Sequence, residues 1–292
     1  MDKKLTRKDF IKLLTISAGA LSLPGCNLFS DQKAQSSKMK LGLVTYLWGK
    51  DWDIPTLITN CTKAEIFGVE LRIEHAHGVN LEMSTLQRDN VKNQFQNSDV
   101  KILGMGTNQQ FDYPDPAELK NSIEVAKEYI KLSYDIGGSG VKVKPNRFHE
   151  NVPKENTIEQ IGKSLNEIGK FGADYNQQIR LEVHGRETQE LPNIKKIMNV
   201  ADHPNVTVCW NSNPEDLLSP GLEHNFNLVK NRLGDTVHVR ELNSEEYPYQ
   251  ELINLFKKNN YNGWILLECR TDPEDKVKAL IEQRNIWEKM LS

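Results

Sequence analysis

From Met39 onward, strand-like and helix-like segments alternate eight times with no domain break between them. The strand candidates are short apolar stretches at 40–46, 68–73, 100–106, 140–144, 179–183, 206–210, 236–240 and 263–268. Helical periodicity lies between them, near 54–66, 84–97, 116–136, 157–175, 191–201, 221–233, 247–259 and 273–290. Several helices carry start signals: Asp53 before Ile54-Pro55, Asp115 before Pro116, and Asn156 or Thr157 leading into Glu159. Gly137-Gly138 reads as a helix stop. Eight strand–helix units in roughly 250 residues is the count of a single-domain α/β fold, the (β/α)8 TIM barrel. A doubly wound open sheet is the competing architecture. It has fewer strands as a rule, and no G-x-G-x-x-G follows the first strand here.

The first residues stand apart from this pattern. Lys3, Lys4, Arg7, Lys8 and Lys12 precede a short apolar run that ends in Leu23-Pro24-Gly25-Cys26. This resembles a bacterial lipoprotein signal over residues 1–25, with Cys26 as the lipidated residue after cleavage. The stretch Thr6-Arg7-Lys8-Asp9-Phe10-Ile11-Lys12 also resembles a twin-arginine export signal in which Lys8 replaces the second arginine. Residues 26–38 are polar and read as a flexible tether, leaving 39–292 for the barrel. The expected location is outside the cytoplasm, lipid-anchored to a membrane on its periplasmic or cell-surface side. Nothing after the signal is apolar for long enough to span a bilayer. The remaining cysteines, Cys61, Cys209 and Cys269, are odd in number and lack CxxC spacing, so they are expected as small buried residues. Removing residues 1–25 takes away five positive and two negative charges and leaves a net charge of about −6. With no basic excess, nucleic acid is not an expected partner.

In a (β/α)8 barrel the active site lies at the C-terminal ends of the strands. Those ends read Tyr46 and Trp48, Glu70 and Arg72, Lys142 and Lys144, Glu182 and His184, Asn211 and Asn213, His238 and Arg240, and Glu268 and Arg270. Each pair is two residues apart, so both members project to one side of the strand. Leu71, Val143, Val183, Val237, Val239 and Leu267 take the opposite parity, toward the helices. A carboxylate ending a buried strand is costly unless a positive group meets it. Polar pairs converging on one mouth therefore suggest a site; a structural ion-pair network is the other explanation.

Four motifs occur in order: L-E-V-H-G at 181–185, C-W-N-S-N at 209–213, V-H-V-R-E at 237–241 and L-L-E-C-R at 266–270. With the eightfold alternation they resemble the xylose-isomerase-like barrels, the sugar phosphate isomerase/epimerase family, over nearly all of 39–292. The resemblance implies one divalent metal ion held by Glu182, Asn211, His238 and Glu268, with Asn211 standing where the family has aspartate. Manganese is the expected ion, and the nitrogen and oxygen donors also suit magnesium, cobalt or zinc. It further implies that Glu182 and Glu268 act as catalytic acid and base on opposite faces of a small-molecule carbohydrate, through an enediolate. The implied activity is that of an isomerase, epimerase or related lyase, and a homo-oligomer stays open.

Around that centre, His184, Glu70, Arg72, Lys142, Lys144, Arg240 and Arg270 are expected to bind substrate, the cations as a rim for an oxyanion, a carboxylate or hydroxyls. No Gly-rich phosphate loop accompanies them, and for an exported protein a non-phosphorylated sugar or oxidised glycoside is the better expectation. Trp48 is expected to stack on a pyranose face, and His75 and His77 to face substrate from a loop. Trp210, on the other parity, is expected in the core. Two further readings use the same residues. One is a metal-independent glycosidase with Glu182 and Glu268 as its carboxylate pair. The other is a non-catalytic sugar-binding lipoprotein with a degenerate barrel, for which Asn211 argues.

Overall fold

The structure is a computed structural model that describes residues 39–292. The signal segment, Cys26 and the tether to Lys38 lie outside the described residues. The strands are β1 (Lys40–Val44), β2 (Gly68–Arg72), β3 (Lys101–Gln110), β4 (Gly140–Lys144), β5 (Gln178–Glu182), β6 (Val206–Cys209), β7 (Thr236–Val239) and β8 (Trp264–Leu267). Each is followed by a helix: α1 (Ile54–Ala64), α2 (Thr85–Gln96), α3 (Pro116–Asp135), α4 (Lys154–Asp174), α5 (Leu191–Val200), α6 (Leu222–Val229), α7 (Tyr249–Lys258) and α8 (Lys276–Leu291). All strand pairs are parallel, in the order β6-β5-β4-β3-β2-β1-β8-β7. The β6–β7 seam is closed by two bridges, Val208 to Leu233 and Asn211 to His238. The result is a nearly closed (β/α)8 barrel.

Asp53 and Asp115 cap α1 and α3, accepting from the backbone N–H of Thr56 (2.9 Å) and Ala117 (2.8 Å). Gly137 ends α3 at φ +87°, a conformation open to glycine without a steric cost. The start of α4 differs from expectation. The helix begins at Lys154, directly after Pro153, whose φ of −53° already suits a helix. Thr157 is buried in the helix rather than capping it. The segment 221–233 divides into α6 and a 3₁₀ turn, Lys230–Arg232, and a second 3₁₀ turn, Pro214–Leu217, was not expected. Strand β3 runs on past its expected end at 106 to Gln110.

Period two divides the strand residues between two environments. Leu71, Val143, Val183, Val237, Val239 and Leu267 are fully buried in the large core beneath the helices, with Trp210 packed on Phe226. Inside the barrel, Val44, Leu103 and Leu266, with Tyr46 and Trp264 against them, make a small apolar cluster. The other inward positions include Glu70, Lys142, Arg180, Glu182 and His238, all buried. Two glycines of β3 make room for them. A Cβ at Gly106 would lie 2.7 Å from Glu70 Oε1, and one at Gly104 (φ +149°) would lie 2.2 Å from Gly140 O. The β2–β3 register shifts beside Gly104, as at a β-bulge.

Cys61, Cys209 and Cys269 are free and buried, and burial pushes the Cys61 thiol up to about 12. No helix among the described residues is long and apolar enough to cross a membrane.

Candidate active site

The ends of β5, β7 and β8 bring Glu182, His238 and Glu268 together at the C-terminal mouth. One donor atom from each lies within 4.8 Å of the others, and all three residues are buried. His238 Nδ1 is 3.7 Å from Glu182 Oε1 and 3.8 Å from Glu268 Oε2. Its Nε2 is 3.3 Å from Glu70 Oε1, close enough for charge pairing though off hydrogen-bond alignment. An imidazole that presents one nitrogen to two carboxylates and the other to a third has the arrangement in which histidine serves metals. His238 Nδ1 has no hydrogen-bond partner among the described residues. A buried, unpartnered nitrogen facing two carboxylates is a fitting place for a divalent cation, and the N/O donor set is chemically suited to one.

Glu182 is the most firmly held member. Lys142 Nζ donates to its Oε2 at 2.7 Å, and Asn211 Nδ2 donates to its Oε1 at 3.0 Å. Lys142 is itself buried and reaches Thr107 O at 3.3 Å. Burial opposes charge on Glu182, yet the Lys142 ammonium and His238 hold its carboxyl well below the usual carboxylate range. Glu268 behaves oppositely. Burial pushes its carboxyl up, and Glu182 nearby adds to this while His238 opposes it. Two carboxyls on one cavity thus differ in their readiness to carry a proton.

The cluster opens on a cavity of about 160 Å³ lined by Tyr46, Arg72, Lys142, Lys144, Glu182, His184, Asn211, Glu268 and Arg270. Its walls differ in sign. Arg72 and Lys144 share one acceptor, Asn108 Oδ1, at 3.0 and 2.8 Å. Burial, with Lys142 beside it, lowers the Lys144 ammonium to about 8. Burial likewise favours neutral His184, whose Nδ1 has no partner among the described residues.

The expected site residues divide accordingly. Glu182, Asn211, Glu268, His184, Lys142, Lys144, Arg72 and Arg270 reach the cavity, and His238 stands behind it. Four expectations for substrate contact need correction, and a fifth residue, Arg240, faces a neighbouring groove in place of the cavity. Glu70 is fully buried against His238, because the Gly104 bulge and Gly106 let its carboxylate sit inside the barrel. His77 is buried and holds its own loop: Nε2 pairs with Arg72 O at 2.7 Å and Nδ1 accepts from Val79 N–H at 3.1 Å. Burial lowers it to about 4. His75 pairs with Thr45 Oγ1 at 3.3 Å, outside the cavity lining. Trp48 is only 3% exposed, donates Nε1–H to Thr271 O at 2.9 Å, and lines a neighbouring groove together with Arg240.

Asn108 and Thr107 are site residues that the sequence did not point to, and Tyr46, placed at the mouth, was given no role there. Tyr46 ends the first strand on the inward parity, which was the available signal. Asn108 and Thr107 lie on the part of β3 beyond its expected end and gave none.

Several solved structures share this architecture. The 3-keto-D-glucoside 4-epimerase of E. coli is 14% identical, with 86% of this chain and 99% of that chain covered at a TM-score of 0.73. The D-psicose 3-epimerase of Clostridium cellulolyticum H10 is 16% identical, with coverages of 87% and 100% and a TM-score of 0.73. An IOLI protein solved with a bound zinc atom is 15% identical, with coverages of 87% and 98% and a TM-score of 0.71. At these identities the likeness establishes the fold. Comparison with curated proteins finds no match. A family model does match, over residues 58–212, more than half of the 292-residue sequence. On that match, and with the barrel it describes, the chain belongs to the xylose isomerase-like TIM barrel family.

Proposed function

We propose that this protein is a divalent-metal-dependent epimerase or isomerase of a keto-sugar, working through an enediolate. The observation that carries the reading is the convergence of Glu182, His238 and Glu268 beside a polar cavity at the strand ends. Sugar epimerases among the structures of like fold are consistent with it. A cation held by these three residues, with the Asn211 amide beside them, would polarise neighbouring carbonyl and hydroxyl oxygens. We take manganese as the ion, as the family resemblance implies.

The chain's own groups supply the proton transfers. Glu182, fixed by Lys142 and Asn211, accepts the proton from the carbon next to the carbonyl. Glu268, the carboxyl more ready to hold a proton, returns one to the enediolate from the other side. Arg72, Lys144 and Arg270 donate hydrogen bonds to substrate oxygens, and neutral His184 can exchange hydrogen bonds with a hydroxyl. Both carboxylates face His238 Nδ1, a buried, unpartnered nitrogen that a metal would satisfy and that a metal-independent glycosidase does not call for. In D₂O with added manganese, keto-sugars should gain deuterium at the carbon beside the carbonyl. Exchange that persists in both Glu182→Gln and Glu268→Gln would refute these roles.

The N-terminal segment belongs to the same proposal: residues 1–25 direct export and Cys26 carries the lipid anchor.

A further inference from the structure

The inner cavity is small for a whole ligand site. At about 160 Å³ it falls below the ~300–1,000 Å³ common for small-molecule pockets. It does not stand alone. A groove of about 470 Å³ runs beside it, between the loop after β7 and the loop leading from β8 into α8. Arg270 lines both spaces, so a ligand in the cavity would reach the groove past one flexible side chain.

The groove has the makings of a carbohydrate subsite. Arg240, Glu241, Asn243, Ser244 and Glu282 surround it with hydrogen-bonding groups, over a floor that includes the 3%-exposed Trp48. Arg240 Nε is buried with no hydrogen-bond partner among the described residues, the condition of a donor that a ligand would satisfy. Its backbone is already fixed, because Arg240 N–H donates to Tyr249 Oη at 2.9 Å. The rim is built as well. Glu241 Oε1 accepts from Arg270 N–H (2.9 Å), Thr271 N–H (2.8 Å) and Thr271 Oγ1–H (2.6 Å), holding the β8 loop against the β7 loop. Gln283 of α8 fastens the far side, accepting from Leu242 N–H at 2.6 Å and donating to Asn243 Oδ1 at 2.9 Å.

We propose that the groove is a second carbohydrate subsite, so that the substrate is a glycoside whose reacting ring fills the inner cavity and whose second sugar or aglycone lies in the groove beside Arg240 and Ser244. The inference rests on the function proposed above and names its substrate class. It has a chemical consequence. In a glycoside the anomeric carbon is locked as an acetal, so the carbonyl that acidifies the neighbouring C–H must sit elsewhere on the ring. Such a compound arises by oxidation of a ring hydroxyl, and a reaction of that class must therefore supply this substrate.

Calorimetric titration of the manganese-loaded protein tests this with three probes: 3-keto-D-glucose, its methyl glycoside and its glucosyl glycoside. The glucosyl glycoside should bind at least about tenfold more tightly than the free keto-sugar, about 1.4 kcal/mol. Ser244→Trp, which fills the groove, should abolish that advantage and leave the affinity for 3-keto-D-glucose unchanged. Arg240→Ala should reduce the advantage without filling the groove, and unchanged melting temperatures would show that both variants fold. Equal affinity for all three probes, or an advantage that survives both substitutions, overturns the second subsite but not the keto-sugar reading. No binding of any probe overturns both.

Discussion

Lys142 and Glu182 form an ion pair at 2.7 Å with side chains 1% and 2% exposed, at the wall of the proposed reaction cavity. The pair predicts a large and specific response to Lys142→Met. Removing one partner of a buried pair costs ~3–5 kcal/mol, because the remaining charge has lost its counter-ion. For a domain of this size each kcal/mol shifts the melting temperature by ~2–4 °C. The variant should therefore melt about 6–20 °C below wild type in EDTA. Changing both residues, Lys142→Met with Glu182→Gln, should recover most of the loss, since no unpaired charge remains. A divalent cation on Glu182 replaces part of what the ammonium supplied, so saturating manganese should raise the melting temperature of Lys142→Met more than that of wild type. Thermal melts of the three proteins, each with EDTA and with manganese, measure every term. A single variant that melts with wild type, or a metal-induced shift equal in the two proteins, would refute the reasoning.

Other consequences are equally direct. Glu182→Gln and Glu268→Gln should each lower turnover by about 10²–10⁴-fold with the fold retained, checked by steady-state kinetics and circular dichroism. Asp216 is buried and accepts from Asn213 N–H (2.9 Å) and Tyr247 Oη–H (2.8 Å); burial pushes its carboxyl from 3.8 to about 7. With the folded value above the unfolded one, its contribution is complete below about pH 4 and is lost as pH rises toward 7. Denaturant melts should show wild type losing up to ~4 kcal/mol relative to Asp216→Asn across that window, with a constant difference above it. Cys26→Ser should release the protein from the membrane fraction or leave an unprocessed precursor on fractionation; wild type found wholly in the cytoplasm would contradict the anchor.

Much of this was legible in residue order, for identifiable reasons. Period two put Glu182, Glu268 and His238 on inward parity, and parallel strands with a common polarity then carry such residues to one mouth. Depth within the barrel was not legible. Glu70 shares the inward parity of Arg72, but the register pairs Glu70 with Gly104 across a bulge and sets it beneath the cavity, where it meets His238 in place of substrate. The extension of β3 was hidden because Thr107, Asn108, Gln109 and Gln110 are all polar and carry no apolar alternation; its β4 pairing, Gln110 with Lys144, is a tertiary property. Loop residues were the least legible. His77 looked like a ligand-facing imidazole but satisfies the backbone of its own turn, and Trp48, past the end of β1, turns toward Thr271. Asn211 was found as a departure from the family pattern, while its bond to Glu182 depends on the β5–β6 register, which sets Glu182 opposite Cys209.

The central claim is that Glu182, His238 and Glu268 hold a divalent cation, and manganese titration of the purified barrel, followed by elemental analysis, tests it most directly. The account predicts one bound ion per chain in wild type. Binding should be lost in His238→Ala and sharply weakened in Glu182→Gln and Glu268→Gln. It should be tightened in Asn211→Asp, where a carboxylate replaces the amide that now donates to Glu182. A protein that binds no divalent ion, or one whose affinity is indifferent to all four substitutions, would contradict it.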